Sequence, residues 1–429
     1  MLSKGQEKRC TFAKLYFQQK EGVKQVLPYG GLFIPQRRTL TTEGLAGFVP
    51  FTIEEMMHSN GEYIGQNLLS RNPIMVDRTE LMNGNAFVFG TSGSGKSMTL
   101  KQLILQNRLR EDADIIIIDP EREYSELVKA LGGEVIELSQ QSKSHINAMD
   151  LMTGKNIEDN LLSIKTDFLI SFCELIHTTG NSNVLPLDAA TRSIIDEAVR
   201  EVYKPYLNKK GQAPMPTLSD LRKTLLSMHN SKASEVATEL GLFSGDGSLN
   251  AFSHRTNVNT KNSLVCYDIL DTGTGLKSLA MLVMLDAVFN RIIQNRWKKR
   301  KTYVYIDEIY LLFSDTTSAD YLFSMWKRVR KYGAFMTGAT QNVSDLLQSH
   351  TAHDMLANSE FVILLNQNQA DIEDLSVILN MTEEQAGYVR NVDMGHGLLR
   401  IGAATVPFEN TLPQNSQLFE LMTTKIIHQ

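Results

Sequence analysis

Apolar residues in this chain gather into runs of strand length. Ala-Phe-Val-Phe at 86–89, the four isoleucines at 115–118, Leu-Val-Cys-Tyr at 264–267, Tyr-Val-Tyr-Ile at 303–306 and Phe-Val-Ile-Leu-Leu at 361–365 are unbroken. Strands covered on both faces of a parallel sheet read in this way, because neither side of the pleat meets water. Shorter or more mixed strands are expected at 134–138 and 334–340, and a closing pair at 396–402 and 404–408. Helical spacing separates them. Leu100, Leu103 and Ile104 mark a helix after the first run, and a long helix is expected from 276 to about 296. Between 151 and 258 the period changes. Leu161, Leu162, Ile164, Phe168, Phe172, Ile194, Ile195 and Val199 recur at three and four, without strand runs. Residues 1–65 hold short strand-like runs with turn punctuation, such as 26–32.

Strands alternating with helices predict an α/β fold with a doubly wound, mostly parallel sheet. The expected organisation is an N-terminal β-containing segment at 1–65, an α/β domain built from 66–150 and 259–410, an all-helical insertion at 151–258, and a tail at 411–429. Residues 209–216 read as an exposed connection inside the insertion.

Composition narrows the class. The 429 residues are 42% hydrophobic and 21% charged, ordinary for a globular protein. No apolar stretch approaches the ~18 residues of a membrane span. The first ten residues lack an apolar core, so a signal peptide is not expected. Cys10, Cys173 and Cys266 lack metal-ligand spacing, and three thiols argue against a disulfide framework. A cytoplasmic protein is predicted. The net charge of −5 disfavours nonspecific DNA binding by the whole chain, although a local basic pore would be invisible to that sum.

The chemistry begins where the first run ends. Gly90, Thr91, Ser92, Gly93, Ser94, Gly95, Lys96 and Ser97 form a complete P-loop between a strand and a helix that opens with Met98. Gly93 and Gly95 allow the backbone to curl its N–H groups around phosphate oxygens, and the helix N-terminus adds positive potential. Lys96 is placed to meet β/γ-phosphates, and the Ser97 hydroxyl to ligate Mg²⁺. The competing reading is a glycine-rich turn without a ligand.

Hydrolysis needs more than binding. The run at 303–306 delivers Asp307 and Glu308 to the carboxyl edge of the sheet, where ligands bind. Asp307 is expected to hold Mg²⁺ and Glu308 to act as general base toward water; a solvated acidic turn is the alternative. Gln341 follows the strand at 334–340. There an uncharged amide can sense γ-phosphate and attacking water, or simply end a strand. Arg328 and Arg330 lie in the cationic string 327–331. Such a string is an ordinary solvated helix face, or it supplies an arginine to a neighbouring subunit's phosphate, with Arg330 the first choice. An extra strand before the Asp-Glu pair suits RecA-like ATPases. No guanine-reading Asn-Lys-x-Asp is present.

These motifs together resemble those of the VirB-type ATPases of type IV secretion, the TraC/TraE group of conjugation. The resemblance rests on the string 38–51, on Asp119-Pro-Glu-Arg-Glu-Tyr, on His145-Ile-Asn-Ala-Met-Asp, and on the P-loop, Asp307-Glu308 and Gln341. Ala148 stands where that family usually has proline. The resemblance covers most of 25–410 and is weak in the helical insertion. It implies a RecA-like ATPase using ATP and Mg²⁺, often hexameric, and peripheral at the cytoplasmic face of the membrane. Its partners would be other secretion subunits, the coupling protein included. The motor would power channel or pilus assembly and transfer of DNA or protein. Family members generally carry a large N-terminal domain, so this chain corresponds to their C-terminal ATPase region or to a member without that domain. Glu121 and Glu123 would lie near the P-loop, in a nucleotide or subunit-seam role or as helix-capping acids. The alternatives are a HerA/FtsK-like DNA translocase, a conjugative coupling protein, or a scaffold that holds ATP structurally.

Overall fold

A computed structural model describes residues 16–28, 31–34, 41–46, 53–110, 112–139, 142–151, 159–178, 185–209, 211–245, 247, 250–273 and 276–423. The chain divides into two compact units, Met1–Ile53 and Glu54–Gln429. In the first, the described residues form α1 (Gln19–Val26), with no buried side chain, and α2 (Thr42–Ala46). The strand-like reading at 26–32 therefore meets a helix at its start: Gln, Lys and Glu at 19–21 and 24–25 favour helix over strand. Residues 29–30 of that run, Cys10, and 38–40 and 47–51 of the family-like string lie outside the described residues.

The second unit is built on one eleven-stranded sheet. Its strands are β1 (Glu62–Asn67), β2 (Pro73–Val76), β3 (Ala86–Phe89), β4 (Ala113–Asp119), β5 (Glu134–Glu137), β6 (Leu264–Asp268), β7 (Lys301–Ile306), β8 (Ala334–Thr340), β9 (Phe361–Leu364), β10 (His396–Ile401) and β11 (Ala404–Glu409). The spatial order is β2-β1-β11-β10-β9-β3-β8-β7-β4-β6-β5. From β9 to β5 every neighbour is parallel. β10, β11, β1 and β2 extend that block as an antiparallel flank. The expected closing pair is thus the β10–β11 hairpin. β1 belongs to this sheet, so the N-terminal boundary expected at 65 falls inside the second unit.

Alternation along the strands sends side chains to two separate cores. Phe87, Phe89, Ile116, Ile118, Val304 and Ile306 join one. Ala86, Val88, Ile115, Ile117, Tyr303 and Tyr305 join the other, against α3 (Lys96–Arg108) and α4 (Ser125–Ala130). All seven residues of β4 are buried, which explains its unbroken isoleucines. Cys173 and Cys266 are buried free thiols.

The helical region contains α5 (Asp159–Thr178), α6 (Ala189–Asn208), α7 (Leu218–Ser227) and α8 (Ser231–Glu239). Its apolar stripe shares the first core with α9 (Lys277–Trp297) and α10 (Thr316–Val329). On that stripe Lys165 is buried and donates to Asp286 of α9 and to the Ala148 carbonyl at 3.1 Å. The segment 145–150 belongs to the same joint. Asn147 donates to the Pro216 carbonyl at 2.8 Å, and the Met149 carbonyl accepts from Tyr203. The region packs on the sheet's own helices instead of standing clear of them.

Candidate functional site

β3 delivers the P-loop to the carboxyl edge of the parallel block. Gly93 and Gly95 take φ of +80° and +103°, the left-handed region that β-carbons disfavour. A β-carbon at Gly90 would come within 2.3 Å of Ser94 Oγ and would displace that side chain. The loop is braced from outside. The Asn366 carbonyl accepts from Thr91 N and Oγ1, both at 3.0 Å, and Gly395 N donates to the Ser94 carbonyl at 3.1 Å. Ser92 and Gly93 face solvent at the rim, Ser97 and Met98 are half-buried in the first turn of α3, and Lys96 is buried.

Lys96 points at the two acids that follow β7. Its Nζ lies 2.5 Å from Asp307 Oδ1 and 2.7 Å from Glu308 Oε1. Burial alone would lower the ammonium's pKa, but the two carboxylates outweigh it and hold the pKa above its ordinary value. Burial raises the Glu308 pKa, Lys96 opposes this, and Asp307 adds to it. Glu308 adopts φ +45° and ψ +49°, a left-handed conformation costly for a non-glycine residue and typical of functional sites. The bend returns its side chain toward the P-loop and Thr340, whose Oγ1 lies 3.4 Å from Glu308 Oε2.

Gln341 is exposed just beyond β8, beside the P-loop strand in the sheet order, and its backbone N–H reaches the Glu308 carboxylate. Arg328 and Arg330 are exposed at the other end of β8. Seven residues of strand at about 3.3 Å each put ~23 Å between the two ends. The edge therefore gathers 90–98, Asp307, Glu308 and Gln341, and leaves both arginines away from it.

Three neighbours escaped sequence reasoning: Tyr124, Asn366 and Gly395. Tyr124 is buried and donates to Asp307 Oδ2 at 3.0 Å. It closes the string that begins at Asp119, so its signal was present without an assigned partner. Asn366 and Gly395 brace the loop chiefly through backbone atoms, with the Asn366 amide adding a 3.4 Å contact to Thr91 Oγ1 and Gly395 held at φ +83°, and no motif in the sequence announces either. Among the acids of this string, Asp119 caps the turn: its carboxylate accepts from the backbone of Glu121, Glu123 and Tyr124. Burial pushes it up to about 6, against those hydrogen bonds. Glu121 is exposed, 3.5 Å from Lys277, and one Glu123 carboxylate oxygen is buried without a partner.

A strand-fed P-loop, paired acids one strand beyond its neighbour, and a largely parallel sheet define a RecA-like P-loop NTPase fold. Residues 63–304 match the family described as the central domain of helicase HerA, and 250–398 match the TraG P-loop domain. The chain belongs to the HerA central-domain family, and its resemblance to VirB-type ATPases is borne out by its relatives. The type IV secretion system protein VirB4 of Bartonella quintana (strain Toulouse) is 23% identical over 304 residues, covering 70% of this chain. The chain spans only about a third (36%) of that relative's length. The solved VirB4 of Thermoanaerobacter pseudethanolicus superposes with a TM-score of 0.72 at 22% identity, over 84% of this chain and 99% of that one. The plasmid coupling protein TrwB, in complex with ADP and Mg²⁺, superposes at 0.51 with 17% identity, over 86% of this chain and 98% of that one. Among the described residues no helix is long and apolar enough to cross a membrane.

Proposed function

We propose that this chain hydrolyses ATP as a motor of a type IV secretion or conjugation system, powering channel or pilus assembly and transfer of DNA or protein. The observation that carries it is Lys96 set against Asp307 and Glu308 at one sheet edge. Residues 90–98 would cradle the phosphates, and Lys96 would exchange its two carboxylates for β/γ-phosphate oxygens. The donor set beside them, the Ser97 hydroxyl and the Asp307 carboxylate, is all oxygen and suits Mg²⁺. That ion, when bound, neutralises charge developing on the phosphates. Released from Lys96, Glu308 would accept a proton from the attacking water, its raised pKa suiting a base that must take up a proton. Gln341 would contact γ-phosphate and water. A neighbouring copy would supply Arg330 or Arg328, which fits a homo-oligomer, a hexameric ring above all. Other secretion subunits, the coupling protein included, would hold the motor at the cytoplasmic face of the membrane.

The test is steady-state ATP hydrolysis on sized monomer and oligomer fractions, with and without DNA. Turnover in the oligomer without a DNA requirement is expected. No hydrolysis in any fraction, with nucleotide bound, would point to a structural cofactor instead.

One observation favours a second reading, a DNA-translocating ATPase. Two basic strings meet at the amino edge of the sheet, where Arg296 stacks over the Tyr332 ring at 4.9 Å. Lys298, Lys299, Arg330 and Lys331 are exposed there, in a chain of net charge −5. Hydrolysis that appears only with DNA, and weakens steeply with salt, would select that reading.

A further inference from the structure

We propose that Tyr124 is a positioning residue that aims the Asp307 carboxylate at the metal, an inference that rests on the ATPase reading above. The two oxygens of Asp307 have different partners. Oδ1 takes the Lys96 ammonium at 2.5 Å and the Glu308 backbone N–H at 3.0 Å. Oδ2 takes the Tyr124 phenol at 3.0 Å. When Lys96 turns to phosphate, Oδ1 keeps the Glu308 N–H and regains a lone pair for a cation on the P-loop side. Oδ2 stays tied to the phenol, so the carboxylate cannot rotate away.

The phenol is itself held on several sides. Tyr124 is 1% exposed, its backbone N–H donates to Asp119 Oδ2 at 3.0 Å, and the Lys101 ammonium lies 5.9 Å from its ring centroid. Asp119 and Asp307 are brought together by the sheet. β4 and β7 are parallel neighbours in register Ile118 with Ile306, and Asp307 N donates to the Ile118 carbonyl at 3.1 Å. The turn after β4 thus carries a donor across to the acid of the next strand. Partners of this kind orient a ligating carboxylate, and their loss costs about 10- to 100-fold in metal affinity.

Tyr124→Phe keeps the ring and removes only the hydroxyl. The full chain is titrated with Mg²⁺ in the presence of a fluorescent non-hydrolysable ATP analogue, whose affinity is also measured in EDTA. The expected result is a Mg²⁺ midpoint raised by about 10-fold or more with the EDTA affinity unchanged. A residue that only satisfies a buried acid would lower the melting temperature and leave the midpoint within about twofold of wild type, and that result overturns the proposal. Should the Phe chain fail to fold, Asp119→Asn decides. It replaces one of the two carboxylate oxygens that accept from the backbone of Glu121, Glu123 and Tyr124 with an NH2 donor, which loosens the turn holding Tyr124 and should raise the midpoint by a smaller factor; an unmoved midpoint overturns the proposal there too. Wild type that binds no analogue at any Mg²⁺ concentration would sink the nucleotide reading, and this inference with it. Wild type that binds beside an unshifted variant sinks this inference alone.

Discussion

The Lys96 ammonium lies 2.7 Å from Glu308 Oε1, so the cation proposed to meet phosphate is paired with the acid proposed to activate water, and Asp307 completes a buried triad. On that proposal the two would silence each other until nucleotide binds. This relationship separates two substitutions. Lys96→Ala removes the only cation in that triad and leaves two buried carboxylates facing each other. It should weaken ATP binding and also destabilise the nucleotide-free chain by ~3 kcal/mol, as broken buried pairs do. Glu308→Gln should leave binding and stability near wild type and lower kcat on the order of 10²-fold or more. Binding titrations, denaturation and steady-state rates read the three effects. A Glu308→Gln chain with the wild-type rate would remove Glu308 from the chemistry.

Arg330 and Arg328 stand at the amino end of β8, a strand length from Gln341. Neither reaches the site of its own chain, so a direct role in turnover would have to be played at a neighbouring copy's site. Arg330→Ala should bind ATP like wild type and hydrolyse it poorly. Mixed with Lys96→Ala chains it should regain activity, because some interfaces then combine an intact P-loop with an intact arginine. Rescue is expected only where mixed oligomers form, which light scattering on the mixture establishes. Verified mixed oligomers without rescue would leave both arginines as surface charge.

The buried strands were legible because a strand covered on both faces has no polar positions to confuse its period, as the isoleucines of β4 illustrate. The P-loop was legible because its glycines answer a backbone requirement, seen in the positive φ at Gly93 and Gly95. The antiparallel flank was half legible. β10 and β11 read as a pair, and β2 is the local hairpin partner of β1, but β1 joins the sheet through β11, over 300 residues distant, which no local pattern reveals. α1 was missed because the strand-like run starts at Val26, which is only the helix's last residue, while the charged residues before it set the helix. The helical region was recognised by period, but its docking was not, since a helical stripe says that a face is covered and not by what. Tyr124 belongs to the same category: a buried phenol needs a partner, and only the register of β4 with β7 names Asp307.

Asp119 gives a pH dependence with a definite sign. Burial lifts its carboxyl to about 6 in the folded chain, above its value in the unfolded one. The protonated form is thus favoured by folding, and the stability it contributes is full below about pH 4 and lost as pH rises through about 6. Wild type should therefore gain stability over Asp119→Asn on acidification from pH 7 to pH 4, by up to ~3 kcal/mol, and the difference should be flat above pH 7. Denaturant midpoints of both chains across that range measure it. A difference that grows with rising pH would reverse the assignment.

The helical region makes its own prediction at Lys165, 2% exposed, whose ammonium meets the equally buried Asp286 of α9. Asp286 also accepts from Asn290 at 3.1 Å. Burial raises its pKa, and Lys165 is the largest influence opposing that rise. Lys165→Met removes the opposing cation and leaves an uncompensated buried carboxylate between α5 and α9, at a cost of ~3–5 kcal/mol near neutral pH. A carboxyl whose folded pKa is raised contributes its stability at low pH and loses it as pH rises, so the deficit should shrink on acidification as Asp286 takes up a proton. Adding Asp286→Leu should recover much of the loss at neutral pH, because a buried pair replaced by apolar groups of similar size is often neutral or better. Because this joint lies away from the P-loop edge, ATP affinity measured below the melting transition should stay at the wild-type value. Limited proteolysis should cut the single variant first within 159–208, where α5 and α6 would loosen from α9. A Lys165→Met chain as stable and as protease-resistant as wild type would mean that the apolar stripe alone holds the helical region to the sheet.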